Sequence, residues 1–142
     1  MAASALALSE SSFFSADGTD RVIENKAVEN TSTPHDVAQL ITNLYRRAPD
    51  LLVVTTKPYV QISDVTGRRV FTAHTTNKLI SFFSDGYTLL GGKTGTSLWE
   101  SKHLVLLFTD LKGDAYVAVV LDSADNFSDM KLILETLTQH NQ

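Results

Sequence analysis

At 142 residues and a net charge of −4, the chain suits one domain with a core that is sufficient but small. Its 12 Lys and Arg are scattered among 16 Asp and Glu. Nucleic acid therefore has no basic footprint to bind, and an anionic partner must be held locally by one or two residues. The lack of cysteine excludes thiol catalysis, disulfides and thiolate metal sites. His35, His74, His103 and His140 stand far apart and form no HxxxH or HxxE pair, so neither a metal site nor a cofactor is expected. No stretch reaches the ~20 apolar residues of a membrane span. Met1 to Leu8 lacks the basic start and apolar length of a signal peptide.

Met1 to Leu8 can form a short helix with Ala5 and Leu8 on one face. Ser9 to Asn30 is rich in Ser, Asp, Asn and Gly, which predicts a long loop pinned by Phe13-Phe14. A helix follows, with Thr33 as cap, Pro34 in its first turn and Asp36 three residues after the cap. Val37, Leu40, Ile41, Leu44, Tyr45 and Ala48 recur at helical spacing, and Pro49 ends the helix. Leu51 to Thr56 and Tyr59 to Ser63 are β-prone. Thr66-Gly67 is a turn signal, and Arg69 to Thr72 can return as a hairpin strand. Asn77 to Phe83 is ambiguous.

Thr88 to Ser97 reads as extended and Gly-rich. His103 to Thr109 and Ala115 to Leu121 are apolar β runs joined by Leu111-Lys112-Gly113-Asp114, an antiparallel hairpin. Their nearly unbroken hydrophobicity implies burial on both faces, or on one face plus a partner. Asn126 is expected to cap the last helix, with Asp129 three positions on and Phe127, Met130, Ile133, Leu134 and Leu137 as its apolar stripe. There are no internal repeats and no linker, so residues 1–142 form one domain. The class is α+β, an antiparallel sheet flanked by helices.

The stretch Gly91-Gly92-Lys93-Thr94-Gly95-Thr96-Ser97 carries the chemistry. On a strand, the Lys93 ammonium supplies positive potential, and the hydroxyls of Thr94 and Thr96 can hydrogen-bond a carboxylate. Gly95 leaves room for a peptide backbone, and the Thr96 N–H can face a developing oxyanion. An open strand edge lets an extended peptide pair with it. The same triplet, Lys-Thr-Gly, stands beside SxxK in serine acyl-transfer enzymes. The alternative is a Gly-rich turn entering a strand, with Lys93 solvated. A phosphate loop is rejected: Gly86 to Thr94 would need glycine at Tyr87, and a strand rather than a helix follows.

With these residues in view, the sequence resembles the serine D-alanyl-D-alanine carboxypeptidases, the low-molecular-mass penicillin-binding proteins, over nearly its whole length. Met1 with Ala5, Leu8 and Phe13 or Phe14, then Asp17-Gly18, is similar to the family's first segment and glycine loop. "STPHDVAQL" (Ser32 to Leu40) resembles its helix start, "TTNKLI" (Thr75 to Ile80) the segment before the KTG strand, and "YVAVVLDSADNFSDMKLIL" its last strand and final helix. After Thr96, "SLWESKH" departs from the usual Ala-Gly pair.

The resemblance implies a partial penicillin-binding-protein fold, the C-terminal part of a D-Ala-D-Ala carboxypeptidase domain without its first two strands. Lys93, Thr94, Gly95 and Thr96 would bind the terminal carboxylate of a peptidoglycan stem peptide, or a β-lactam imitating it. The family order is SxxK, SxN, KTG, and the first two are missing. Ser128-Asp129-Met130-Lys131 lies after KTG, in the closing helix, and no SxN occurs. No catalytic residue is therefore assigned, and hydrolysis by this chain alone is not expected. The alternative is a non-enzymatic module, derived from that fold, that binds peptidoglycan peptides or a protein. Ala115 to Leu121 would be an apolar edge strand, open to an N-terminal complementing chain or to a second copy. The family suggests a periplasmic or extracytoplasmic location.

Overall fold

The structure, a computed structural model, describes residues 6–84 and 87–140. It is α+β, with antiparallel sheets and helices, as the sequence predicts. The main sheet has the order β5-β6-β7, formed by β5 (Thr88–Thr96), β6 (Lys102–Thr109) and β7 (Ala115–Ser123). Two hairpins stand apart from it, β1 (Arg21–Ile23) with β2 (Lys26–Val28), and β3 (Tyr59–Ser63) with β4 (Arg69–His74). The helices are α1 (Pro34–Arg47), α2 (Pro49–Val53) and α3 (Asn126–His140). Among the described residues, no helix is long and apolar enough to cross a membrane.

The sheet is buried on both faces, which accounts for the nearly unbroken apolar runs. Leu104, Leu106 and Phe108 of β6 pack with Met130 and Leu134 of α3 on one face. Leu107, on the other, packs with Ile41 of α1 and Leu52 of α2, with Val105 and Val117 against them. Successive residues of a strand point to opposite faces, so the central strand has to be apolar throughout. The β6–β7 turn is held by the Asp110 carboxylate, which accepts from the Lys112 and Asp114 N–H groups at 2.9 Å each. Gly113 there stands at φ 86°, a conformation that suits glycine. Among the described residues β5 and β7 are the two edge strands of this sheet.

Helix α1 begins as its sequence predicts. The Thr33 hydroxyl accepts from the Asp36 N–H at 3.3 Å, Pro34 occupies the first turn, and the Ala48 N–H closes on the Leu44 carbonyl. Asp36 itself is 1% exposed and turns away from the helix end. Its carboxylate accepts from the Glu10 N–H at 2.9 Å and the Ser11 hydroxyl at 2.7 Å, which ties the N-terminal segment to α1.

Five expectations are corrected. The long loop contains the β1–β2 hairpin, whose connecting residues Glu24 and Asn25 both have left-handed φ, 50° and 61°. That is a two-residue hairpin turn without the usual Asn-Gly, so its sequence signal is weak. Phe13 and Phe14 are exposed rather than pinning the loop. The Asn30 side chain fastens it instead, accepting from the Phe14 and Ser15 N–H groups. Leu51 to Thr56 is not a strand: Pro49 starts α2, and Val54–Thr56 continue as a tighter 3-10 turn. Burial of Leu52 overrides the β preference of Val and Thr.

The last helix is capped one residue earlier than expected, by Asp125. Its carboxylate accepts from the Ser128 N–H and hydroxyl, while the Asn126 amide donates to the His103 carbonyl at 2.8 Å. The hydrogen bonds at Ser128 hold the Asp125 carboxyl below the ordinary carboxylate range. Of the helix expected over Met1 to Leu8, residues 1–5 lie outside the described region. Leu6 and Ala7 form a turn, with Ala7 at φ 55°. The ambiguous Asn77 to Phe83 becomes a 3-10 segment, Ile80–Ser84, entered where the Asn77 side chain accepts from the Leu79 N–H at 2.9 Å.

Replacing Asp36 by Ala removes the acceptor of the part-buried Glu10 N–H and leaves the Ser11 hydroxyl with Ser32 alone, so stability should fall by about 1 kcal/mol, and Asp36→Asn should cost less. Urea unfolding of the two variants measures both. Equal stability of Asp36→Ala and the parent would mean that the Glu10–Ser11 segment is not anchored there.

Candidate functional site

Lys93, Thr94, Gly95 and Thr96 lie consecutively on β5, opposite Val105, Leu104, His103 and Lys102 of β6. The segment is strand throughout, so the glycines do not form a turn, although Lys93 is exposed as that alternative expected; a phosphate loop, which needs a helix there, is not formed. All four residues line one groove of about 490 Å³ together with Thr76, Lys102, Asn126 and Phe127. Lys93 and Thr94 also line a second groove of about 280 Å³ beneath the β3–β4 hairpin. Gly95 and Thr96 border a third, of about 400 Å³, with Trp99 and His103.

The three glycines of the segment have different roles. A Cβ on Gly91 would stand 2.7 Å from Leu52 Cβ, and one on Gly92 2.7 Å from the Val105 carbonyl oxygen and 2.8 Å from Leu106 Cδ2. Both positions exclude a side chain so that α2 and β6 can close on β5. A Cβ on Gly95 would meet His103 Cβ at 3.4 Å, an ordinary contact. Packing therefore requires Gly91 and Gly92 but not Gly95.

The direction of the backbone groups follows from two hydrogen bonds. The Gly92 N–H donates to Thr55 Oγ1 at 2.9 Å, so it points away from β6. In an extended strand N–H groups alternate in direction, which turns the Thr94 and Thr96 N–H groups to the same outer edge. The Ser97 N–H, one residue on, points back to the Ser101 carbonyl at 2.9 Å, in agreement with that alternation. On the outer edge the Lys93 ammonium contacts the Thr94 carbonyl, and Thr94 Oγ1 lies 2.6 Å from Thr76 Oγ1. A cation, paired hydroxyls and outward N–H groups thus share one strand edge. The Thr76 contact joins the "TTNKLI" segment to the KTG strand, a link that sequence order could suggest but not measure.

The path beyond Thr96 is a tight connection. The Glu100 N–H closes on the Ser97 carbonyl at 3.1 Å, and Glu100 stands at φ 64°. The Leu98 N–H donates to the Asp20 carboxylate at 2.9 Å, fastening the N-terminal loop beside β5. Trp99 is 68% exposed. Sequence reasoning passed over His103, Asn126 and Trp99 at these grooves, because none belongs to a recognisable spacing. His103 Nδ1 accepts from the Asp122 N–H at 3.0 Å. Asn126 is 2% exposed, and its Oδ1 has no hydrogen-bond partner. Among the described residues no group of three or more His, Asp or Glu is placed to hold a metal ion.

Ser128 of the SxxK string donates its hydroxyl to Asp125 at 2.8 Å, and Lys131 is exposed on α3. Neither lines the grooves at β5. The Asp17-Gly18 loop does reach them through Gly18, at φ 73°. There the Thr19 N–H and hydroxyl, followed by the Ser15 hydroxyl, lower the Asp17 carboxyl from its ordinary 3.8 to about 2.

No family model matches the chain, and no curated protein matches it.

Two measurements check this site. Gly92→Ala should lose about 2 kcal/mol of stability through overpacking, whereas Gly95→Ala should stay within about 1 kcal/mol; thermal unfolding compares them. Because the Asp17 carboxyl is lowered on folding, the order it gives the loop is complete above pH 3.8 and fades as pH falls through about 2. Carboxyl NMR should therefore find the Asp17 midpoint near 2, and an ordinary midpoint would mean the turn is not formed.

Proposed function

We propose that the outer edge of β5 binds the C-terminal carboxylate of a peptide, as the KTG strand of serine D-Ala-D-Ala carboxypeptidases does. The single observation that supports this most is the convergence of the Lys93 ammonium, the Thr94 and Thr76 hydroxyls, and the outward Thr94 and Thr96 N–H groups on one edge. A carboxylate there gains charge-assisted hydrogen bonds, and the adjoining peptide can extend the sheet. That packing does not require Gly95 is what a position left open for a substrate backbone predicts. The finer fold reading belongs with this: the chain is the C-terminal part of a penicillin-binding-protein domain, and its ligand is a peptidoglycan stem peptide or a β-lactam.

In such a domain the Thr96 N–H donates to the oxyanion of the acyl-transfer intermediate. The attacking serine and its lysine come from another segment. The serine of the SxxK string here is engaged as part of the Asp125 helix cap, which favours binding over hydrolysis for these residues by themselves. β7, the edge strand opposite β5, offers its outer backbone groups to a complementing chain or to a second copy.

Titration of the ¹⁵N-labelled chain with an acetylated peptide ending in D-Ala-D-Ala is expected to shift the amides of Gly92 to Ser97. Lys93→Ala, or amidation of the peptide terminus, should weaken binding by about tenfold, the worth of one charge-assisted hydrogen bond. Undiminished affinity in Lys93→Ala would overturn the proposal.

A further inference from the structure

The groove of about 280 Å³ beside Lys93 has a second wall that carboxylate binding leaves unused. In the β3–β4 ladder Val60 stands opposite Ala73, and Ile62 opposite Phe71. Partners across a ladder share a face, so these four residues make one apolar face of the hairpin. Gln61 with Thr72 and Tyr59 with His74 make the other. Val60, Ile62 and Ala73 line the groove across from Gly92, Lys93 and Thr94. Ile62 is 39% and Phe71 55% exposed. A lone two-stranded hairpin is marginal in water, and this one has few contacts with other helices and strands. Its base is closed by the Thr75 N–H on the Pro58 carbonyl at 2.9 Å.

The groove is therefore two-sided. One rim carries the Lys93 ammonium and the hydroxyls of Thr55, Thr76 and Thr94, and the other carries Val60, Ile62 and Ala73, with Lys57 and His74 beside them. At about 280 Å³ it falls just under the ~300 Å³ lower bound of small-molecule sites. That is room for one residue with its terminal carboxylate, not for a whole peptide. The geometry points to the Val60–Ile62–Ala73 face as a specificity wall, which takes a branched aliphatic side chain on the peptide's C-terminal residue while Lys93 takes the carboxylate. The inference rests on the carboxylate reading of Lys93 alone, and it widens the ligand class beyond a stem peptide that ends in D-Ala.

The test is an NMR titration of the chain with three acetylated peptides that differ only in their last residue, D-Ala, D-Val or D-Leu. Affinity should rise along the series, by at least about fivefold from D-Ala to D-Leu, since each buried methylene adds roughly fourfold. Ile62→Ser should bring the D-Leu to D-Ala ratio close to one. Ala73→Leu, which fills the groove without making the strand less apolar, should turn the preference toward D-Ala. Lys93→Ala should weaken all three peptides. A flat series in the parent chain with binding that still depends on Lys93 overturns the specificity wall and leaves carboxylate binding intact. A graded series unchanged in both hairpin variants overturns the wall as well. Binding of all three that ignores Lys93→Ala, or no binding at all, overturns both.

Discussion

Gly91 and Gly92 let β5 lie so close to its neighbours that a Cβ on either would stand 2.7 Å from Leu52 or from the Val105 carbonyl oxygen. That approach buries Leu52 beneath the strand and brings the Thr55 hydroxyl to the Gly92 N–H. From Gly92 onward, past the irregularity between Leu89 and Gly91, the direction of that single N–H sets the direction of every second backbone group. The Thr94 and Thr96 N–H groups face outward for this reason, and the Lys93 ammonium meets the Thr94 carbonyl on the same edge. The glycines fix the strand, and the strand aims the polar groups.

Around that edge the N-terminal segment is held by polar anchors. Asp36 holds the Glu10–Ser11 segment, Asn30 fastens the chain at Phe14 and Ser15, and Asp20 reaches the Leu98 N–H beyond the strand. These contacts bring Gly18 to the grooves at β5. The apolar contribution comes from the other direction, where α3 with Leu79 covers one sheet face and α1 with α2 covers the other. A strand buried on both faces is rigid. Rigidity is what a binding edge needs if its donors are to meet a ligand without reorganising.

The proposed chemistry uses this edge for recognition and asks little else of the chain. An ammonium and two hydroxyls suit a carboxylate, and outward N–H groups suit an extended backbone or an oxyanion. The hairpin across the groove presents Val60, Ile62 and Ala73 to it, with His74 and the nearby Lys57 on the same lining. In this proposal side-chain selection and charge recognition fall to two separate elements, β3–β4 and β5, and the segment after β4 meets β5 through Thr76 and Thr94.

The sequence by itself determined the elements whose signals are local. The Thr33 cap and Pro34 begin α1, and Gly67 and Gly113 sit in turns that favour left-handed φ. The two apolar runs of β6 and β7 called for cover on both faces, or on one face plus a partner, and the structure supplies the first. It also located Lys93 to Thr96 on an extended strand, because Lys-Thr-Gly after two glycines is a contiguous pattern. Only the tertiary structure decided the rest. Leu51 to Thr56 is helical because Leu52 has to pack on Gly91, and no local propensity encodes that contact. Glu24-Asn25 turns a hairpin that lacks a strong turn signal. Asp125 rather than Asn126 caps α3, since the Asn126 amide is drawn to the His103 carbonyl, 23 residues away. The grooves beside β5 gather residues from five or more segments of the chain. Spacing along a sequence carries no information about such groupings, because they form only when the strands and hairpins close on one another.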